Sequence, residues 1–419
     1  MRRACLLLFL ATVGLNWPQL PFNARFTDVV FVAAAIGILA QQKHWSPRLM
    51  PLDVAIAGYL AGSAAAAIFS PEPGVSGVEL IRHLYVVAIY GVIAVAVRQG
   101  FAVTVASGLA LSGAALATLG LIAFIVKTFF DVGATALTPV TTLPYIGQTL
   151  RLRALTASES MFACVLAMSI PFAVRHPFVL AARTRVAGSG VLLGAAALLT
   201  YSHSVAGVAV STLITAWRSL HSHLTLRAAA VVLTILVVSG LNLAATIAVR
   251  SLGASSLRDN SVFQYGVDHG RAQVAGVEIE YQTMSYLRIK QVAWDAFMSR
   301  PLIGIGLDRF HSVTEIAFAE GRLTAPYRAI DPHSTFFGRF AEAGLIGGIT
   351  LIVLWLAIAA AVQRLWSGQA DSWIVIAVTA GIAGTFVNSM NADVMNFRFL
   401  WVALGLVRGL TVSDDRERA

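Results

Sequence analysis

The chain has 419 residues, of which 57% are apolar and only 12% charged, with a formal net charge of +9 and a mean hydropathy of +0.75. A soluble globular surface carries about 25% charged residues, so the composition argues against a water-facing globule and fits an outer surface turned toward lipid. The basic excess lies mostly in short connections between apolar runs, which is a topology signal and not the patch of a nucleic-acid binder.

A hydrocarbon core about 30 Å thick needs about 20 mostly apolar helical residues. Twelve stretches approach this: roughly 4–20, 27–42, 52–69, 78–97, 101–130, 157–174, 186–201, 204–218, 228–249, 335–363, 372–388 and 394–410. Arg2 and Arg3 precede the first, as in a signal peptide, but Trp17, Pro18 and Gln19 follow in place of a small-x-small cleavage site. A retained first helix is expected. Cys5 and Cys164 both fall inside apolar runs, so neither a disulfide framework nor a metal motif is expected.

Alternating passes from a cytoplasmic N-terminus put fourteen Lys and Arg on the inner side. Six lie in short outer loops or at outer helix ends: Arg25, Arg82, Lys127, Arg151, Arg153 and Arg398. The positive-inside rule then predicts both termini in the cytoplasm. Two outer segments are long, 131–156 and 250–334, and loops of such length are usually functional or disordered. The second has balanced charge and many apolar residues, so a folded loop is expected. Within it Tyr286–Arg300 reads as a helix, with Leu287, Gln291, Trp294 and Met298 on one face and Arg288, Val292 and Asp295 on another. Pro301 stops it, and Gly304 and Gly306 make a tight turn. The expected organisation is nine membrane helices over 1–249, a large outer loop with amphipathic helices over 250–334, and three membrane helices with a cytoplasmic tail over 335–419.

The outer face gathers Arg151, Arg153, His203, Arg288, Lys290 and His333. Arginine matches phosphate oxygens with a planar fork of donors and stays charged; histidine takes a proton near neutral pH. Such a set suits a diphosphate leaving group and a hydroxyl nucleophile. Plainer readings stand beside this. Taken alone, Arg151 and Arg153 fit snorkelling at the membrane boundary better than function. Arg288 and Lys290 fit the wet face of an interfacial helix equally well, and His203 reads as a surface histidine in a turn. Glu342, two turns into the tenth helix, requires a polar partner or a role; a structural hydrogen bond would suffice. His269, His311 and His333 lack ligand spacing, so no metal or cofactor is expected.

The stretch Pro301-Leu-Ile-Gly304-Ile-Gly306, then His333-Ser334, then Ala341-Glu342-Ala-Gly344-Leu-Ile-Gly347 resembles the O-antigen ligase and O-antigen polymerase superfamily. Arg288 and Trp294 match the family's arginine-bearing helix before the turn. Arg153 to Ala163 is similar to its arginine-led approach to a mid-chain helix. Thr200-Tyr-Ser202-His203 is similar to a Thr-x-Ser-Arg segment, with histidine where arginine is usual. The resemblance implies an all-α integral membrane protein of about 12 transmembrane helices, of the lipid-linked-sugar glycosyltransferase type (GT-C-like), with a large helical periplasmic loop. It implies a donor glycan carried on undecaprenyl diphosphate in a bacterial inner membrane. The acceptor would be lipid A-core or a growing polysaccharide, with membrane lipids as surroundings and no nucleic acid. Arg153 and Arg288, with Arg151, would hold the diphosphate; His333 would orient or deprotonate the acceptor hydroxyl; Glu342, Gly304 and Gly306 would support them. Repeat-unit polymerisation is the alternative within this chemistry. A transporter or lipid-linked-sugar flippase is the alternative outside it, although no pair of interrupted helices recurs in two halves.

Overall fold

A computed structural model describes residues 2–16, 25–42, 49–132, 137–143, 147–176, 192–200, 202–217, 247–251, 268–274, 277–283, 285–323, 328–369 and 372–417. The apolar runs form helices: α1 Arg2–Thr12, α2 Phe26–Leu39, α3 Pro51–Ile68, α4 Pro73–Ala96, α5 Ala102–Phe130, α6 Glu159–Arg175 and α7 Val205–Trp217. After them come α8 Ser285–Ser299, α9 Phe310–Ala319, α10 Thr335–Gln369, α11 Trp373–Asn388 and α12 Arg398–Glu417. Residues 192–198 add a short helical segment. Local chemistry sets several of the starts. Pro51 opens α3 while Asp53 accepts from the Met50 amide at 2.8 Å, and the Ser158 hydroxyl accepts from the Met161 amide at the head of α6, each satisfying a free helix-end donor.

Among the described residues, three stretches are long and apolar enough to cross a membrane: Pro51–Ile68, Pro73–Phe130 and Thr335–Gly368. Shorter apolar helices, Phe26–Leu39, Val205–Trp217 and Trp373–Asn388, accompany them. A straight 58-residue helix over Pro73–Phe130 would measure about 87 Å, against about 30 Å of hydrocarbon. It is instead folded back at a π-helical turn, Val97–Phe101, where Gly100 takes φ 89°. The reversal follows from neighbouring contacts. Tyr85 of α4 bonds Asp28 of α2, and Gln99 in the π-helical turn just after α4 bonds the Ile38 carbonyl, so α4 runs parallel to α2. Thr27 bonds the Thr12 carbonyl and Gly37 lies against Arg2, so α1 opposes α2. Gly108 lies against Leu10 and Gly14 against Leu116, so α5 follows α1 and opposes α4.

Small residues let the helices approach closely, the usual device where lipid removes the hydrophobic drive between them. Gly113 of α5 faces Ser169 of α6, and Gly207 of α7 faces Gly384 of α11, with no room for a Cβ at either contact. Ion pairs tie the bundle at two levels: Arg398 with Asp28 at 2.8 Å, and Arg408 with Asp53 at 2.8 Å. The outward side of α10 carries Leu345, Ile346, Ile349, Ile352, Val353 and Leu356, all exposed, as a lipid-facing surface requires.

The all-helical expectation is corrected in two places. Val140–Leu143 (β1) and Gly147–Leu150 (β2) form an antiparallel hairpin. Ile247–Ser251 (β3), Asp268–Val274 (β4) and Val277–Thr283 (β5) form an antiparallel sheet in the order β3-β5-β4. The reason is the period: Val277-Glu-Ile-Glu-Tyr-Gln alternates apolar and polar residues at the spacing of a strand. Among its described residues the large loop is thus part strand, with helix from Ser285. The stretch 228–249 lies outside the described residues up to 246, and its end is strand, not helix. The first run is helical only to Thr12.

Candidate functional site

The site end of the bundle is built around a break in α10. At Gly344 the backbone takes φ 62°, ψ −157°, a region closed to side-chain-bearing residues. The turn Pro301–Gly306 fills the break with backbone hydrogen bonds. Ile305 and Gly306 donate to the carbonyls of Ala341 and Glu342, at 3.0 and 2.9 Å. Leu345 and Ile346 donate to those of Pro301 and Leu302, at 2.7 and 3.2 Å. Groups orphaned by the break are thereby satisfied. A Cβ on Gly304 would collide with the Glu342 backbone, and one on Gly306 with the Ser70 side chain. Ser76 clamps the turn to α4 by donating to the Leu307 carbonyl at 2.9 Å.

The amphipathic helix α8 packs Ile289, Val292, Ala293 and Ala296 into a satellite core with Phe310, Ala317, Leu323 and Ala341. Trp294 and Met298 are exposed on its other side, and the chain Trp294–Phe297–Phe340 joins it to α10. Arg288 and Lys290, flanking the buried Ile289, are half-buried.

Two chemically opposite regions meet at His333. The first is basic. Arg151 donates through Nε to the Thr200 carbonyl at 2.8 Å and lies 4.0 Å from Glu159. Lys290 donates to Asn391 at 2.8 Å. Arg151, His333 and Lys290 all act electrostatically on His203, so all three lie within electrostatic reach of it. Burial pushes the His203 imidazole down to about 4, with the neighbouring cations adding to the effect. Burial lowers His333 as well, Asp331 opposing and Lys290 reinforcing, and burial lowers the Lys290 ammonium. Both imidazoles are therefore neutral at pH 7 and able to accept a proton. His203 is thus no simple surface residue. His333 has φ 48°, a left-handed conformation that histidine tolerates better than most residues.

The second region is a cavity of about 280 Å³ lined mainly by charged groups. Glu79, Asp308, Asp331, Glu342 and Asp393 contribute carboxyls, against Arg82, Arg339 and His311, with Pro332 and Ser334 completing the wall on either side of His333. Glu79 bonds Arg82 at 2.7 Å and the Asn396 amide at 2.7 Å. Arg339 is 5% exposed; it donates to the Tyr59 hydroxyl at 2.6 Å and lies 3.3 Å from His83. Glu342 accepts from the Phe310 amide at 3.4 Å, at the head of α9 where the helix dipole favours a negative charge. Burial raises Asp308, and Glu79 adds to the rise; burial also raises Asp393.

Of the expected residues, Arg151 and His333 come together with His203 and Lys290, while Gly304, Gly306 and Glu342 form the unit beneath the cavity. Arg153 opens the tight turn to α6, its carbonyl accepting from Thr156 at 2.7 Å, and is half-buried like Arg288. Sequence reasoning missed Glu79, Arg339, Asp393 and Asn396. The available signal was an ionisable residue inside or beside an apolar run, as at Glu79 and Arg339, where burial is costly without a role or partner.

Residues 188–352 match the family model described as O-antigen ligase. The match includes His203, Lys290, the Pro301–Gly306 turn, His333, Arg339 and Glu342. No curated protein matches the chain.

Proposed function

We propose, from the match of residues 188–352 to the family model described as O-antigen ligase, that this chain is a membrane glycosyltransferase. It moves a glycan from undecaprenyl diphosphate to an acceptor hydroxyl, lipid A-core, on the periplasmic face of a twelve-pass inner-membrane bundle with both termini cytoplasmic. The observation that carries this reading is the position of His333 between a basic cluster and a polar cavity. A donor diphosphate and a hydroxylated acceptor need opposite surroundings with one proton acceptor at their border.

The chemistry balances without a metal or nucleotide. The acceptor oxygen attacks the anomeric carbon as its proton passes to the neutral His333 imidazole. The bond from that carbon to the diphosphate oxygen breaks, and the diphosphate leaves with the electron pair. Arg153, Arg288 and Arg151, with Lys290, meet the charge that develops on it. Transfer of the proton from His333 to solvent resets the site.

A polymerase would use the same donor chemistry with a growing repeat-unit chain as acceptor. A lipopolysaccharide gel run beside a lipid-carrier extract tests the reading, using a deletion strain complemented by wild type or His333→Asn. Long chains missing from lipid A-core and accumulated on the carrier mean ligation. A core carrying a single repeat unit means polymerisation. Unchanged patterns in both extracts count against either activity on lipopolysaccharide. Purified protein that moves the donor across vesicles without forming a glycosidic bond would instead mean a flippase.

A further inference from the structure

The cavity beside His333 is not needed to hold a diphosphate, and its composition is wrong for one. Five carboxyl-bearing side chains line it, against two arginines and one histidine. The cations are already engaged: Arg82 by Glu79 at 2.7 Å and Asp308 at 3.7 Å, His311 by Asp331 at 3.3 Å and Asp308 at 3.7 Å. An entering anion would face carboxylates with little to compensate them. One donor nevertheless awaits a partner. Arg339 is 95% buried and lines the cavity, and its Nη1 has no hydrogen-bond partner, an arrangement that native interiors avoid unless a ligand or water completes it.

We propose that this cavity is the acceptor subsite, and that it takes one sugar ring bearing hydroxyls but no phosphate or carboxylate. The inference rests on the glycosyl-transfer reading and adds the acceptor's chemistry to it. The volume, about 280 Å³, lies at the small end of ordinary ligand pockets, about 300 Å³ and upward, which suits one ring and not a chain. Sugar hydroxyls both donate and accept. The carboxyls of Asp331, Glu342 and Asp393 accept from them, and Arg339 Nη1 donates to them. Phe397, also in the wall, offers an aromatic surface to the apolar face of the ring. Pro332 and Ser334 bring the ring to the edge occupied by His333, where a hydroxyl loses its proton. Charge thus sorts the substrates: diphosphate toward Arg151 and Lys290, uncharged sugar toward Glu79 and Asp393.

The test uses full-length protein in lipid nanodiscs and three probes: methyl β-glucopyranoside, methyl β-glucuronide and glucose 6-phosphate. Saturation-transfer NMR reads binding of each, and a polyprenyl-diphosphate-glycan extract reads donor consumption separately. The glucoside should bind roughly tenfold better than either anion. Asp331→Asn, at a position whose side chain is 67% exposed and so safe for folding, should weaken glucoside binding roughly threefold. Asn396→Ala should do the same, and the charge reversal Asp331→Arg should admit the two anions. Equal or better binding of the anions, no glucoside binding, or glucoside binding untouched by both Asp331→Asn and Asn396→Ala would overturn the proposal. Absence of donor consumption by wild type would defeat the transferase reading instead, since the glycoside arm does not depend on it.

Discussion

The amide of Gly306 donates to the carbonyl of Glu342 at 2.9 Å, and through that bond a turn outside the bundle fixes a carboxyl inside it. Glu342 lies just before the break in α10, so its carbonyl would be orphaned without the turn. Its side chain meanwhile reaches the amide of Phe310 at the head of α9. The turn, the head of α9 and the broken helix α10 are thus held at one residue.

Substitutions at this junction should be costly. Gly344→Ala forces a side chain into φ 62°, with its Cβ 2.5 Å from the Leu302 carbonyl carbon. Backbone strain alone costs about 1–3 kcal/mol, and the collision adds to it. Thermal unfolding in detergent should show a clear loss for Gly344→Ala and Gly304→Ala. Gly91→Ala, where a Cβ meets nothing within 4 Å, should leave the transition unchanged.

Arg339 and Tyr59 should differ in consequence although they share a hydrogen bond of 2.6 Å. Arg339→Met removes a buried cation that acts electrostatically on Asp393, Glu342 and Glu79, and leaving buried carboxyls uncompensated costs up to about 3–5 kcal/mol. Tyr59→Phe removes a single neutral partner, worth about 1 kcal/mol. Unfolding curves of the two variants, side by side, check the order.

Transfer activity should depend on a neutral His333. Burial holds that imidazole below its ordinary value of 6.5, so the acid limb of the rate profile should have its midpoint below pH 6.5. His333→Asn keeps a residue type suited to the left-handed backbone and removes the proton acceptor. It should cut turnover about 10²- to 10⁴-fold, with melting temperature little changed. A pH–rate profile whose acid limb already lies above pH 6.5 would contradict this assignment.

His203 should make the protein sensitive to acid. Its folded-state value, about 4, lies below the ordinary 6.5, so the unfolded chain binds the proton more readily. Stability is unaffected above pH 6.5 and declines as pH falls from 6.5 toward 4, by up to about 3 kcal/mol in all. His203→Gln should flatten that decline in thermal melts recorded across the same window.

Most of the bundle was legible in the sequence because apolar length and helix breakers act locally. The reversal at Gly100 and the end of α8 at Pro301 follow from such signals. The strand Val277–Thr283 was legible too, through its alternation, but was absorbed into an expectation of helices. The turn at Gly304 and Gly306 could be read, but not its partner at Gly344, because only tertiary contact shows which backbone the turn completes. The basic side chains of the proposed site were selected by residue type. The acidic cavity was not, since Glu79, Arg339 and Asp393 come from three separate parts of the chain, and an isolated charge in an apolar run does not name its neighbours.

The exchange of backbone bonds at Gly344 has a bearing on how the molecule can be cut and rejoined. Residues 335–343 are helical, yet the carbonyls of Ala341 and Glu342 accept from the preceding loop. Structurally they are the loop's last segment. A chimera that exchanges the outer loop between related chains should therefore place its downstream seam after Ile346, since Leu345 and Ile346 donate to Pro301 and Leu302. A seam at the start of the helix would divide a single hydrogen-bonded unit between two parents.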